Sequence, residues 1–314
     1  MLCVTCHRLM TVAFVLFAFF LVPCFCQGGL YLTPDELLRS DEFGRDSRFD
    51  PVGSMFVDSG SGFQFNGSGV LISPDWVLAT AHQVDANFAP VGNTRFSVGH
   101  DFNSPIATSG VSEIVVHPLW RAPGMGTNDL ALLRLETPIF AVNPAVRFRG
   151  MDPDIPFFND PNQIEISMAG FGLHGVQHET LVQDSLRRGG SNLLEAYTSG
   201  PNRTDLFVEQ NPNWSNRPLV DLEWKGTPGD SGGGWFRDIN GEQQLVGITW
   251  GGFNNWNHPG WSLANRMTVH NAWVDSVTAV PEPSSFISIA LATGVFIMRR
   301  NRGEKQLCNS LLHN

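Results

Sequence analysis

The sequence has no cysteine between Gln27 and Leu307, because its five cysteines lie at positions 3, 6, 24, 26 and 308. A disulfide framework for the folded region is therefore excluded, and so is a cysteine-ligated metal site inside it. Charge is also scarce, since only 16% of residues are charged, and the net charge is -10. Nucleic-acid binding needs clustered lysine and arginine, so we expect no nucleic-acid partner.

Glycine and proline are plentiful, at 32 and 20 residues, and 42% of the 314 residues are hydrophobic. This balance favours a turn-rich all-β fold, in a chain long enough for one large domain or two small ones. Helical spacing is limited to 265–277 and a short segment at 34–39. Short apolar stretches between turn signals predict strands at 69–72, 76–79, 95–98, 111–116, 130–135, 164–169, 219–224 and 244–250.

The N-terminal region has the pattern of a targeting segment. Residues 1–26 place cations first, then an apolar run, then small residues, which predicts a secretory signal peptide. A lipoprotein signal through Cys24 is the alternative. Residues 27–44 are expected to be a polar lead-in, and 45–279 the folded domain.

The C-terminal region has the pattern of a second targeting segment. Residues 280–302 begin with Val-Pro-Glu-Pro-Ser, continue with an apolar run and end in an arginine cluster, and a polar tail follows at 303–314. As a helix the apolar run would rise about 20 Å, short of the roughly 30 Å hydrocarbon core. The segment resembles the PEP-CTERM sorting signal of bacteria, which implies a sorting transpeptidase as partner and transient membrane contact. An ordinary tail anchor is the alternative, and either way we expect a secreted or cell-surface protein of the bacterial envelope.

Three short segments carry candidate catalytic residues in the order His, Asp, Ser. An apolar strand delivers His82, and imidazole suits a general base because it exchanges its proton near neutral pH. Asp129 opens another apolar strand, and a buried carboxylate beside an imidazole fixes its tautomer. Ser231 stands among glycines, which can turn backbone N–H groups towards an oxyanion. The candidate donors are the N–H groups of Gly229 and Ser231.

Together these segments resemble the trypsin/chymotrypsin family, from about Gly53 to Val277. The matching motifs are Ala-Thr-Ala-His at 79–82, Asn-Asp-Leu-Ala-Leu-Leu at 128–133 and Gly-Asp-Ser-Gly-Gly at 229–233. The resemblance implies two six-stranded antiparallel barrels with a C-terminal helix, and a serine endopeptidase that cleaves protein or peptide substrates. It also implies that Thr249, Trp250 and Gly251 pair with an extended substrate backbone, with Gly260 at the back of the primary pocket.

Departures from the family pattern concern disulfides and activation. Gly67 and Gln83 stand where many relatives place a disulfide beside the histidine, and Thr227 replaces another cysteine, which resembles a bacterial branch. In the family, cleavage before an Ile-Val-Gly-Gly sequence frees an N-terminus that pairs with the aspartate before the nucleophile, which is Asp230 in this sequence. No Ile-Val-Gly-Gly sequence is present here. By the family's spacing that start would fall near Asp41, so the activation mechanism stays open.

Lys225 stands six residues before Ser231, at the position of the family's pocket floor. A cation there would favour Asp or Glu in the substrate. Alternatively, Lys225 supplies the positive charge for Asp230, or it faces water because the loop is out of register.

Two other classes of protein share some of these features. Gly229–Gly233 also fits the Gly-x-Ser-x-Gly pattern of an α/β-hydrolase esterase, although no helix start follows it. A non-catalytic binding module on the same barrels is the second alternative, because a fold alone does not prove activity. His174 and His178 lie among glycines, which favours a loop over a metal site, so we expect no metal or cofactor.

Overall fold

A computed structural model describes residues 29–84, 91–121, 128–151, 164–177, 179–197, 205–210, 220–253 and 260–279. The predicted signal peptide, sorting segment and polar tail lie outside these residues. Within them, neither helix has the length and apolar character needed to cross a membrane.

The elements of the described residues are mostly strands. In chain order they are β1 (Leu30–Tyr31), α1 (Pro34–Gly44), β2 (Val52–Asp58), β3 (Phe63–Ser73), β4 (Trp76–Ala79), β5 (Thr94–Val98), β6 (Ala107–Val116), β7 (Ala131–Leu135), β8 (Val146–Arg147), β9 (Glu165–Gly170), β10 (Gly175–Val176), β11 (Arg188–Tyr197), β12 (Asp205–Glu209), β13 (Gly234–Ile239), β14 (Glu242–Phe253), β15 (Trp261–Arg266) and α2 (Met267–Thr278).

The first six long strands close into a barrel in the order β2-β3-β4-β7-β6-β5. Its interior is filled by apolar side chains, among them Met55, Leu71, Phe96 and Leu133. Their burial supplies the main driving force for this half of the fold. Closure also removes the exposed strand edges that an open sheet would leave.

The remaining long strands form a second ring, in the order β13-β9-β11-β12-β15-β14, which the β13–β14 pairing closes. Strand β8 adds to β14 in parallel. All pairs within the ring are antiparallel. The prediction of an all-β fold with two six-stranded antiparallel barrels and a C-terminal helix is confirmed.

A separate apolar cluster joins the two barrels. It combines Val70 and Leu132 of the first barrel with Phe236 and Ile248 of the second, and it includes Val274 of α2. The catalytic candidates lie along the edge of this interface, so its packing fixes the two halves of the site against each other.

Residues 29–44, which we expected to be a polar lead-in outside the folded domain, pack onto the second barrel. Strand β1 pairs with β10, and Tyr31 is fully buried. Helix α1 begins with a capping box, in which Thr33 Oγ1 accepts from Glu36 N and the Glu36 carboxylate accepts from Thr33 N. The helix runs to Gly44, further than the predicted 34–39, and lies against β11.

Two other sequence predictions differ from the structure. The C-terminal helix begins at Met267, because Asn265 belongs to β15, where it pairs with Asp205 and Ile248. No strand forms over the described part of 219–224. Leu222 has a left-handed φ of 59°, which breaks an extended strand there.

Candidate active site

Strand pairing brings the histidine and the aspartate to one edge of the first barrel. Strands β4 and β7 pair with Ala79 opposite Ala131, so the residues just after β4 and just before β7 leave the barrel together. His82 follows β4 in a 3-10 turn over Ala81–Gln83, and Asp129 precedes β7. Ser231 comes from the second barrel, in the loop before β13.

The three side chains form a continuous hydrogen-bonded chain. His82 Nδ1 lies 2.6 Å from Asp129 Oδ2, and His82 Nε2 lies 3.1 Å from Ser231 Oγ. Asp129 also accepts from the His82 backbone N–H at 2.9 Å, and Asn265 Nδ2 donates to the Asp129 carbonyl at 2.8 Å. With Nδ1 donating to the carboxylate, Nε2 is left as the acceptor for the serine hydroxyl proton.

The aspartate is buried, at 5% exposure, whereas 35% of the His82 side chain is accessible. This difference fits the roles predicted from the sequence, in which the carboxylate only orients the ring, while the ring must reach a reacting group. Asn128, with a left-handed φ of 61°, precedes Asp129 and turns the chain into the site. Asparagine tolerates that conformation better than most residues do.

The loop around Ser231 requires glycine. Gly229 has a φ of 97°, and a Cβ there would lie 2.7 Å from the Gly172 Cα. Within the described residues, neither the Gly229 nor the Ser231 backbone N–H donates to a protein acceptor. These are the two N–H groups that the sequence predicts as oxyanion donors.

Comparison with known proteins identifies the family. The Trypsin family model matches residues 51–274, which is more than half of the chain. The chain belongs to the trypsin family. Chymotrypsin-like elastase family member 1 of Macaca fascicularis is 32% identical over 108 residues, covering 33% of this chain and 39% of that relative. The aligned part is thus well under two thirds of the relative's length, and the family match alone carries the assignment to the family.

Asp230 is buried among backbone amides. Its carboxylate accepts from Thr227 N at 3.0 Å and from Gly172 N at 3.1 Å. Burial raises the pKa of Asp230 to about 7, against the lowering effect of these hydrogen bonds. Among the described residues, no cation contributes to that shift.

Lys225 is only 2% exposed, so the alternative in which it faces water is wrong. A Cβ at Gly260 would overlap its Nζ, which shows that the ammonium end of the side chain lies against Gly260. Burial lowers the pKa of Lys225 to about 8, and no described charged group contributes to the shift. The carboxylate of Asp230 bonds to backbone amides, and no ion pair to Lys225 occurs among the described residues.

The predicted substrate-pairing strand is β14. Its pairing with β13 begins at Ile248 opposite Gly234, so the part of β14 beyond Ile248 extends past that neighbour. The backbone of Thr249 is bonded to the loop that carries Ser231: its N–H donates to Gly233 O at 2.9 Å, and its carbonyl accepts from Gly232 N at 2.8 Å. A Cβ at Gly251 would meet no atom of a described residue within 4 Å.

Trp250 is half-buried beside Phe207 and Leu263, and its Nε1 donates to Asp205 Oδ1 at 3.1 Å. The indole is thereby held in place by packing and by a hydrogen bond. The sequence analysis also considered the pair His174 and His178. The backbone of His174 bonds to the backbone of Val182, and His178 lies outside the described residues.

Sequence reasoning missed two residues that support the site. Asn265 was assigned to a helix, yet its amide holds the Asp129 backbone from the second barrel. Gln83 was noted only as a replacement for cysteine, yet its side chain bonds to the His82 turn and to the Ser231 carbonyl. The missing cysteine was the one signal in the sequence that could have drawn attention to Gln83.

Proposed function

We propose that this protein is a secreted serine endopeptidase that hydrolyses peptide bonds through an acyl-enzyme on Ser231. The observation that carries the proposal is the chain of hydrogen bonds from Asp129 through His82 to Ser231 Oγ, with separations of 2.6 and 3.1 Å. Family membership supports the reaction class.

In the proposed reaction, Ser231 Oγ forms a bond to the substrate carbonyl carbon while its proton passes to His82 Nε2. The carbonyl oxygen becomes an oxyanion that accepts from the Gly229 and Ser231 N–H groups. Collapse breaks the C–N bond, and His82 returns the proton to the leaving amine. Water then attacks the ester by the same proton route, which releases the acid and restores the serine.

Replacing Ser231 by Ala tests this assignment. Turnover of a peptide substrate should fall by about 10⁶, and Asp129→Asn should lower it by about 10⁴ because the histidine loses its productive tautomer. Ser104→Ala, which alters an exposed serine, is the matched control and should keep full activity. A Ser231→Ala protein that retained most of its activity would show that another residue is the nucleophile.

The non-catalytic binding module is the competing proposal for the same barrels, and the experiment above decides between them. The esterase alternative required an α/β-hydrolase fold, which the two antiparallel barrels of the described residues contradict.

We propose further that Lys225 gives the protease a preference for Asp or Glu on the N-terminal side of the cleaved bond. The buried ammonium against Gly260, the residue that the family resemblance places at the back of the primary pocket, supports this. Charge pairing in a desolvated pocket discriminates strongly between substrates.

Activation is proposed to need no new N-terminus at Asp41. The Thr227 and Gly172 amides already hold Asp230, and Asp41 lies inside α1, where its Oδ1 is 2.6 Å from His100 Nε2.

We also propose that the chain carries a signal peptide, that it is delivered to the bacterial envelope and that a sorting transpeptidase acts on its C-terminal segment. Sequencing both termini of the active secreted form tests the proposals on activation and on terminal processing. The active chain should start near residue 27 and end near residue 280. A start near Asp41 would contradict activation without cleavage.

A further inference from the structure

The side chain of Gln83 bonds to three segments of the candidate active site. It is 2% exposed and ends the 3-10 turn that carries His82. Its Oε1 accepts from Thr80 N at 3.0 Å and from Thr80 Oγ1 at 2.6 Å. The acceptor end of the side chain is therefore tied to the start of the histidine turn.

The donor end of Gln83 reaches two other segments. Nε2 lies within hydrogen-bond distance of three carbonyl oxygens, those of Asn66 (3.1 Å), Ser68 (3.2 Å) and Ser231 (3.0 Å). An amide has two N–H hydrogens, so at least one is shared between acceptors. One planar group thus links β3, the His82 turn and the nucleophile.

Two glycines, Gly67 and Gly232, pack closely against the side-chain amide of Gln83. Gly67 has a φ of 121°, and a Cβ there would overlap Gln83 Nε2. At Gly232, a Cβ would lie 2.9 Å from Gln83 Oε1. Ser68 N also donates to the Ser231 carbonyl, at 2.9 Å, so this carbonyl has two donors on the first barrel.

We propose that Gln83 is a positioning residue for catalysis: its side-chain amide holds the Ser231 loop against the His82 turn and so sets the distance between Ser231 Oγ and His82 Nε2. No covalent link can do this, because the described region has no cysteine. The inference rests on the proposed function in taking Ser231 as the nucleophile. It adds that proton transfer depends on a buried amide outside the hydrogen-bonded chain of Asp129, His82 and Ser231.

The test compares Gln83→Glu and Gln83→Met in the full chain with Gln64→Glu, an exposed change of the same chemistry on β3. Glutamate keeps the shape and the acceptor, but it places an anion against three carbonyl oxygens. Methionine keeps the volume without either hydrogen-bonding function. Circular dichroism reports folding, and the rate of reaction with a fluorophosphonate reports the reactivity of Ser231 without dependence on substrate fit.

Both Gln83 variants should stay folded and react on the order of 10²-fold more slowly than wild type at pH 8, because small misplacements of reacting groups cost that much. For peptide substrates the loss should appear in kcat with KM little changed. Gln83→Glu should recover part of the rate, relative to wild type, as the pH falls towards 5, since a protonated carboxyl regains one donor. Gln83→Met should show no such recovery, and Gln64→Glu should match wild type.

Variants that are folded and react within about twofold of wild type would overturn the inference while leaving the proposed function intact. Loss of folding in both variants would also overturn it, because Gln83 would then serve the fold and not the catalytic geometry. A wild-type protein that fails to react with the probe would contradict the proposed function itself.

Discussion

At the residue scale, Lys225 combines a cation with nearly complete burial. Replacing it by Met should abolish a preference for Asp or Glu substrates while activity on apolar substrates is kept, because the ammonium is the only charge that the substitution removes. The ratio of kcat/KM for paired Glu and Leu peptides measures this. In wild type the same ratio should fall as the pH rises through about 8, where the free enzyme's Lys225 loses its proton.

Arg134→Met, which removes an exposed cation of the first barrel, is the control and should leave the ratio unchanged. A general loss of activity on every substrate in Lys225→Met would instead support the alternative in which Lys225 serves Asp230. If neither the ratio nor the activity changed, both functional roles of Lys225 would be excluded.

The sequence identified the candidate triad because each member stands in a short motif with its own chemistry. The burial of Lys225 could not be predicted from the sequence. It depends on Gly260 and on backbone hydrogen bonds to Leu30, a residue far from Lys225 in the chain. The contacts of Gln83 were hidden for the same reason, because they come from three segments. Hydrogen bonds between distant segments leave no local pattern.

At the element scale, a pair of buried histidines lies where α2 packs against the first barrel. His270 of α2 and His117, just after β6, meet with ring centroids 5.0 Å apart, and Trp273 lies 4.6 Å from His117. Burial lowers the pKa of His117. Burial also lowers the pKa of His270 to about 3, and repulsion from His117 contributes to that shift. His270 Nε2 has no hydrogen-bond partner among the described residues.

These shifts predict acid-sensitive docking of α2. Between about pH 6.5 and 3 the unfolded chain binds a proton at His270 that the folded protein does not, so the free energy of unfolding falls as pH falls through this window. The slope is about 1.4 kcal/mol per pH unit for one such group. His270→Phe keeps a ring without the proton and should make the loss between pH 7 and 4 smaller by a few kcal/mol, measured by urea denaturation.

An equal loss in wild type and His270→Phe would show that other groups cause acid unfolding. Asp230 acts in the opposite direction, because its raised pKa favours the folded state at low pH. Comparing the two proteins cancels that contribution, since Asp230 is the same in both.

Strand positions were predicted best where apolar runs are bounded by turns. Strand β4 matches its predicted limits, 76–79. Strand β13 was missed because its first residue, Gly234, belongs to a run of glycines that reads as a loop. The boundary between β15 and α2 was misplaced because a strand that continues directly into a helix has no turn signal.

At the scale of the whole molecule, the family motifs implied both barrels before any strand pairing was known. What they could not supply was the role of residues 29–44. Their polar composition suggested a lead-in, yet Tyr31 donates to Gly189 O at 3.1 Å and Arg39 bonds to Asp221. Capping signals start α1, but its packing against β11 depends on tertiary contacts that local composition does not encode.

The central claim is that Ser231, activated by His82, is the nucleophile of a hydrolase built on these barrels. Treating the full-length protein with a fluorophosphonate and mapping the adduct by peptide mass spectrometry tests it most directly. We predict one adduct per chain, on Ser231, with labelling slowed by at least about 10³-fold in His82→Ala because no base then removes the hydroxyl proton. A folded wild-type protein that forms no adduct, or forms it on a residue other than Ser231, would contradict the account.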